Sequence, residues 1–85
     1  MTLKPQRTIL VVEDSSDSRE MLCFALHRQG YNVIEAENGK QAMLIASRNR
    51  PDLILMDLAM PEMDGLEAAR RILQSPKLAH TPILT

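Results

Sequence analysis

Four apolar segments along the chain predict β-strands, and two of them have the pattern of buried central strands. Residues 9–12 (ILVV) and 53–56 (LILM) are continuously apolar, whereas residues 31–36 (YNVIEA) mix polar and apolar side chains. A continuous apolar run is typical of a parallel strand that helices cover on both faces, and a mixed run suits an edge strand. A fourth strand is predicted from Pro82 to Thr85.

A first helix is predicted between the first two strands, from about Asp17 to Gln29. Ser15, Ser16 and Asp17 are residue types that start helices, and Asp17 and Glu20 have the spacing of a capping box. Gly30 supplies a left-handed stop. The single cysteine, Cys23, lies within this helix and is expected to be a small buried side chain. The other side chains expected to be buried are Met21, Leu22, Ala25 and Leu26.

Two further helical patterns follow. Asn38 and Gln41 are expected to cap a second helix that continues to about Asn49, before Pro51 stops it. The inner face of this helix is expected to carry Ala42, Ile45 and Ala46. A third helix is expected to begin with a capping pair at Asp64 and Glu67 and to end near Ser75, with Leu66, Ala69, Ile72 and Leu73 on its apolar face.

This alternation of strands and helices predicts an α/β fold with a doubly wound parallel sheet. Crossover connections between parallel strands are right-handed, and they place helices on both faces of the sheet. Because the first and third strands read as central and the second as an edge, the predicted strand order is 2-1-3-4. The crossing direction then reverses between the first and third strands, where ligands usually bind in such sheets.

Composition limits the range of functions. The 85 residues suffice for one domain, 1–85, and 45% of them are hydrophobic and 25% charged, as in ordinary globular proteins. A net charge of -1 and an aromatic content of 2% argue against direct contact with nucleic acid. The leader 1–8 is polar and no apolar run approaches the length of a membrane span, so a cytoplasmic location is expected.

Acidic side chains follow both predicted central strands. Glu13 and Asp14 come directly after the first strand, and Asp57 comes directly after the third. Neighbouring strands lie about 5 Å apart, so these carboxylates are expected to share one pocket and to relieve their repulsion by raised pKa values or by a bound cation. Oxygen ligands suit Mg²⁺, and the backbone carbonyl of Ala59 offers another oxygen. The alternative role for Asp14 is simple capping of the first helix.

A carboxylate beside Mg²⁺ can accept a phosphoryl group, because the metal neutralises charge on both reacting partners. Asp57 is the expected phosphoacceptor, since it ends a central strand and a loop follows it. Glu13 and Asp14 are then the expected metal ligands, directly or through water.

Two segments resemble the receiver domain of two-component response regulators: Val11 to Asp14 (VVED), and Asp57 to Gly65 (DLAMPEMDG). The resemblance extends from Thr8 to the end of the chain. It implies a flavodoxin-like fold, phosphorylation of Asp57 by a histidine kinase or phosphotransfer protein, and Mg²⁺ bound by Glu13 and Asp14.

The chain also departs from the family pattern. Receiver domains have five βα units, whereas this sequence has about three and a half and stops within the fourth strand. Thr85 is interpreted as a strand residue and not as the family's switch hydroxyl, and Lys40 and Lys77 lie on the wrong elements to replace the family's phosphate-binding lysine. We therefore expect weak Mg²⁺ binding, poor retention of phosphate, and self-association or exchange of elements through the exposed fourth strand.

Two other interpretations remain at this point. A phosphatase of the haloacid dehalogenase type also uses an aspartate at a strand tip with Mg²⁺, but it needs a second aspartate where this chain has Ala59. A pseudo-receiver, or an inactive fragment, would keep the fold as an interaction module without phosphorylation. Mg²⁺ bound at the acidic cluster would separate a pseudo-receiver from a working phosphoacceptor.

Overall fold

The structure, a computed structural model, describes residues 6–56, 70, 74 and 81–84. Its sheet consists of parallel strands in the order β2-β1-β3-β4. The strands are β1 (Thr8–Val12), β2 (Asn32–Ala36), β3 (Leu53–Met56) and β4 (Ile83–Leu84). The predicted order is therefore confirmed, with β1 and β3 in the centre and β2 at an edge.

The strand register brings three carboxyl ends to one edge of the sheet. Val12, the last residue of β1, is paired with Ala36 of β2 and with Met56 of β3. These are also the last residues of their strands. The residues that follow β1, β2 and β3 in the sequence therefore leave the sheet at adjacent positions.

The central strand β1 is buried on both faces, as its continuous apolar pattern predicts. Leu10 and Val12 belong to a cluster of buried side chains with Ala36, Ala42, Ala46, Ile54 and Met56. Ile9 and Val11, which alternate with them, are buried outside this cluster. Since successive side chains of a strand point to opposite faces, β1 is covered on both sides.

Helix α1 (Ser16–Arg28) begins within one residue of its predicted start. Its N-cap is Ser15, whose hydroxyl accepts a hydrogen bond from the Ser18 amide at 3.3 Å. The predicted capping pair of Asp17 and Glu20 is wrong, because Asp17 already lies in the first turn. Gly30 does adopt a left-handed conformation, with φ of 96°, and its amide bonds to the carbonyl of His27. The predicted stop is confirmed.

The predicted inner face of α1 is wrong at Met21, Leu22 and Ala25, whereas Leu26 does lie on the partly buried side. No residue of the helix is fully buried, and Met21 and Leu22 are 73% and 41% exposed. The helix is rotated so that Arg19, Cys23 and Leu26, at spacings of four and three, form its partly buried stripe. In this orientation the Arg19 guanidinium lies beside Glu35 and Glu37, and Cys23 is half-buried, not buried as predicted. Ala25 is exposed as well.

Helix α2 (Gly39–Asn49) matches its prediction. Asn38 is the N-cap, and its side-chain oxygen accepts a hydrogen bond from the Gln41 amide at 2.9 Å. The inner face is confirmed, with Ala42 and Ala46 buried and Ile45 half-buried. The helix ends at Arg50, which has a left-handed φ of 46° directly before Pro51.

Most of the predicted third helix lies outside the described residues, including its capping pair and its apolar positions. Arg70 and Gln74 are described, and both are helical. Thr85 also lies outside the described residues. In the part of the chain that the structure describes, no helix has the length and apolar character to cross a membrane.

Candidate functional site

The acid pair, Glu13 and Asp14, follows the last residue of β1. The Glu13 amide donates a hydrogen bond to the Ala36 carbonyl at 3.1 Å, which continues the pairing of β1 with β2 by one step. The Glu13 residue is half-buried and Asp14 is exposed. Thus one carboxylate lies at the sheet edge and the next is open to solvent.

The carboxylates of the acid pair make few contacts with the described part of the chain. One oxygen of Glu13, Oε1, accepts a hydrogen bond from the Ser15 amide at 3.2 Å. Neither Glu13 nor Asp14 forms an ion pair within the described part of the chain. These two carboxylates lie at a partly open sheet edge and are hard oxygen donors, and this donor set fits Mg²⁺.

Asp57 and Ala59, the other predicted site residues, lie outside the described residues. The strand that leads to Asp57 is described, and its final residue, Met56, pairs with Val12. Among residues 6–56, 70, 74 and 81–84, no group of three or more acidic, histidine or cysteine side chains forms a metal site. The place of Asp57 in the predicted three-carboxylate pocket therefore stays a prediction.

Arg19 is the residue of this region that the sequence analysis missed. Its Nη1 donates a hydrogen bond to the backbone carbonyl of Glu13 at 2.8 Å, and its Nε donates to Oε1 of Glu35 at 3.2 Å. Its Nη2 lies 4.0 Å from Oε1 of Glu37, and the side chain is only 14% exposed. Arg19 thereby connects the carboxyl ends of β1 and β2.

A sequence signal for Arg19 did exist. Glu35 and Glu37 flank the last residue of β2, and Arg19 lies one turn into the helix that follows the acid pair. In a β1-α1-β2 crossover, the first turn of the helix lies above the carboxyl end of its preceding strand and beside the end of the next one. An arginine at this position is therefore within reach of both strand ends.

The same carboxylate affects the cysteine of α1. Burial raises the pKa of the Cys23 thiol, and the charge and hydrogen bonding of Glu35 raise this pKa further. The positive charge of Arg19 acts in the opposite direction. The protonated thiol is therefore the favoured form, and Cys23 does not have the lowered pKa of a reactive nucleophile.

Comparison with known proteins decides the family. The model of the response regulator receiver domain matches residues 9–85. The chain belongs to this family. Receiver domains are regulatory, and membership in the family decides against the phosphatase interpretation of the strand-tip aspartate.

Individual relatives and solved structures agree with this assignment. The chain is 41% identical over 78 residues to the phosphate regulon transcriptional regulatory protein PhoB of Pseudomonas aeruginosa, covering 92% of this chain and 34% of that protein. It is 33% identical over 78 residues to the polar-differentiation response regulator DivK of Brucella anthropi, covering 92% of this chain and 63% of that protein. A solved structure of the Vibrio cholerae chemotaxis protein CheY4 aligns with a TM-score of 0.89 and 33% identity, over 93% of this chain and 66% of that one.

These alignments show the receiver fold, and they also show that the chain spans less than two thirds of the length of these curated relatives. The doubly wound sheet with order 2-1-3-4 is the receiver architecture, and its switch point lies between β1 and β3. The acid pair is at this switch point, because it follows β1 directly.

Proposed function

We propose that this receiver domain is a cytoplasmic phosphoacceptor in two-component signalling, which accepts a phosphoryl group on Asp57 from a histidine kinase or a phosphotransfer protein. Glu13, Asp14, the Asp57 carboxylate and the backbone carbonyl of Ala59 are the proposed Mg²⁺ ligands. The observation that carries the proposal is the pairing of Val12 with Met56. Glu13 follows Val12 in the sequence and Asp57 follows Met56. Both acidic residues therefore come directly after neighbouring strand ends, which lie about 5 Å apart.

The reaction follows from the chemistry of these groups. A carboxylate oxygen of Asp57 attacks the phosphorus of a phosphohistidine, and the phosphorus–nitrogen bond breaks as the phosphorus–oxygen bond forms. The electron pair of the broken bond returns to that imidazole nitrogen, and the ring leaves as neutral imidazole because its other nitrogen keeps its proton. Mg²⁺, when bound, offsets the negative charge of the attacking carboxylate and of the phosphoryl oxygens.

The described residues support the roles of Glu13 and Asp14 in this scheme. Glu13 is held by hydrogen bonds on its amide, its carbonyl and one carboxylate oxygen, so its position is fixed before a cation binds. Asp14 is exposed and has no cationic partner among the described residues. One ligand is therefore preorganised and the other is open to an incoming ion.

Labelling by a small phosphodonor tests the proposal. The wild-type chain is incubated with acetyl phosphate and Mg²⁺, and intact-protein mass spectrometry measures the gain of one phosphoryl group. Asp57→Asn should abolish the gain, and hydroxylamine or chelation of Mg²⁺ should remove or prevent it in the wild type. Glu20→Gln, which neutralises an exposed carboxylate of α1, is the matched control and should be labelled like the wild type.

Two outcomes would contradict the proposal. Equal labelling of Asp57→Asn and the wild type would assign the phosphoryl group to another residue. An unlabelled wild type that still shows Mg²⁺-dependent amide shifts at Glu13 and Asp14 would leave a receiver fold that binds the cation without phosphoacceptor activity.

A further inference from the structure

We propose that Arg19 is a positioning residue, which orients the acid pair for Mg²⁺ without binding the ion itself. The inference rests on the proposed function, because it concerns the same cation site. It starts from the hydrogen bonds of the acid-pair loop, which we define as Glu13, Asp14 and Ser15. Within the described residues, Arg19 contributes the side-chain donor to the backbone of this loop.

The geometry of the contact restricts the loop. Arg19 Nη1 holds the Glu13 carbonyl at 2.8 Å, and this carbonyl belongs to the peptide that joins Glu13 to Asp14. Fixing the carbonyl direction fixes the plane of that peptide, and hence the direction in which the chain enters Asp14. The Ser15 amide closes the loop by donating to the Glu13 carboxylate at 3.2 Å.

The arginine is itself held from a second strand. Its Nε donates to Glu35 at 3.2 Å, and Glu37 lies 4.0 Å from Nη2. A planar guanidinium that binds two partners with different nitrogens has little rotational freedom. Arg19 therefore connects the acid-pair loop to the end of β2 and limits the motion of the loop relative to that strand.

If Arg19 acted through its charge alone, it would weaken Mg²⁺ binding and not support it. A positive charge near a cation site repels the cation, so removing the arginine should tighten Mg²⁺ binding by at most a few fold, since Glu35 and Glu37 already offset much of its charge. Loss of a residue that orients metal ligands typically weakens metal binding by about 10- to 100-fold. The sign of the change therefore separates positioning from simple repulsion.

Mg²⁺ titration followed by the amide chemical shifts of Glu13 and Asp14 measures this sign. Arg19→Gln should weaken binding by about tenfold or more. Arg28→Gln removes the same charge from the exposed far end of the same helix, and it should bind Mg²⁺ within about twofold of the wild type. Unchanged or tighter binding by Arg19→Gln overturns the proposal.

The Arg19→Lys variant separates the effect of the guanidinium geometry from the effect of its charge. It also controls for a loss of stability in Arg19→Gln. Lysine keeps the positive charge and most of the aliphatic stem, but its ammonium group cannot reproduce the planar fork that holds Glu13 and Glu35 together. Its Mg²⁺ affinity should fall between those of the wild type and Arg19→Gln. Affinity equal to that of the wild type would overturn the positioning role.

A measurement without metal distinguishes failure of this inference from failure of the proposed function. Hydrogen exchange of the Ser15 amide reports the closed loop directly, because this amide donates to Glu13. Exchange should be several-fold faster in Arg19→Gln and unchanged in Arg28→Gln. If the wild type does not bind Mg²⁺, the proposed function fails and the exchange result still decides the role of Arg19. Equal Ser15 exchange in all three proteins overturns it.

Discussion

Thr8 and Asp52 exchange two hydrogen bonds where β1 and β3 begin, although 44 positions separate them in the sequence. The Thr8 amide donates to the Asp52 carboxylate at 2.7 Å, and the Asp52 amide donates to the Thr8 carbonyl at 2.8 Å. The side-chain bond extends the β1-β3 ladder beyond its first backbone pair, Ile9 with Leu53. Asp52 therefore helps to set the strand register on which the candidate site depends.

The first prediction concerns this bond. Asp52→Ala should lower the free energy of unfolding by about 1 kcal/mol, because a hydrogen bond at a partly exposed site contributes that much on balance. Urea denaturation measures the change. Asp17→Ala, an exposed aspartate of α1, is the control that removes the same charge and should change stability less. Equal stability of Asp52→Ala and the wild type would show that the backbone ladder alone sets the register.

The second prediction concerns the start of α2. Asn38→Ala removes the side-chain oxygen that caps the Gln41 amide at 2.9 Å, and it should destabilise the protein by about 1 kcal/mol. Asn38→Ser keeps a capping oxygen and should retain most of the stability. Thermal unfolding of the three proteins gives the comparison, and an alanine variant no less stable than the serine variant would contradict the role of the cap.

Much of this fold could be predicted from local patterns. The apolar runs ILVV in β1 and LILM in β3 are typical of central strands, and the mixed run of β2 tolerates an edge. These three patterns together predicted the sheet order. The cap at Asn38 was predicted because its chemistry involves residues three positions apart. At the start of α1 the same spacing predicted a capping pair at Asp17 and Glu20, although Ser15 is the cap, so local patterns locate a helix start to within a few residues.

The rotation of α1 could not be read in the same way. Met21 and Leu22 have the apolar character of core residues, yet the partly buried stripe of the helix begins with Arg19. In this orientation Arg19 contacts Glu35, 16 positions away, and the Glu13 carbonyl. A hydrophobic pattern contains no information about such long-range polar contacts. For the same reason, the pattern placed Glu13 and Asp14 at the end of a strand but did not identify Arg19, which donates a hydrogen bond to the Glu13 carbonyl.

The third prediction concerns β4 as an edge strand. In the described part of the sheet, β4 pairs with β3 on one side, and its Leu84 is 53% exposed. Such an edge favours pairing with a second copy, so the mass measured by light scattering should rise with protein concentration. Leu84→Lys should suppress this rise, whereas Leu44→Lys, at an equally exposed leucine of α2, should not. A constant mass of one chain at all concentrations would contradict the prediction.

The fourth prediction concerns the Cys23 thiol, whose pKa is raised by burial and by Glu35. Because the pKa is higher in the folded than in the unfolded protein, the folded state gains stability while the thiol is protonated, and it loses this contribution as pH rises through the folded pKa. Alkylation by iodoacetamide requires the thiolate, so its rate should rise at a higher pH in the native protein than in urea.

Glu35→Gln tests the cause of this shift. It removes the carboxylate charge beside the thiol, and the pH at which alkylation accelerates should move down toward the value in urea. Glu20→Gln makes the same charge change at an exposed position of α1 and should leave the profile unchanged. Arg19→Gln should move the profile upward, because the arginine charge lowers the pKa of Cys23. A native profile at or below that of the unfolded chain would exclude Glu35 as the neighbour that keeps Cys23 protonated.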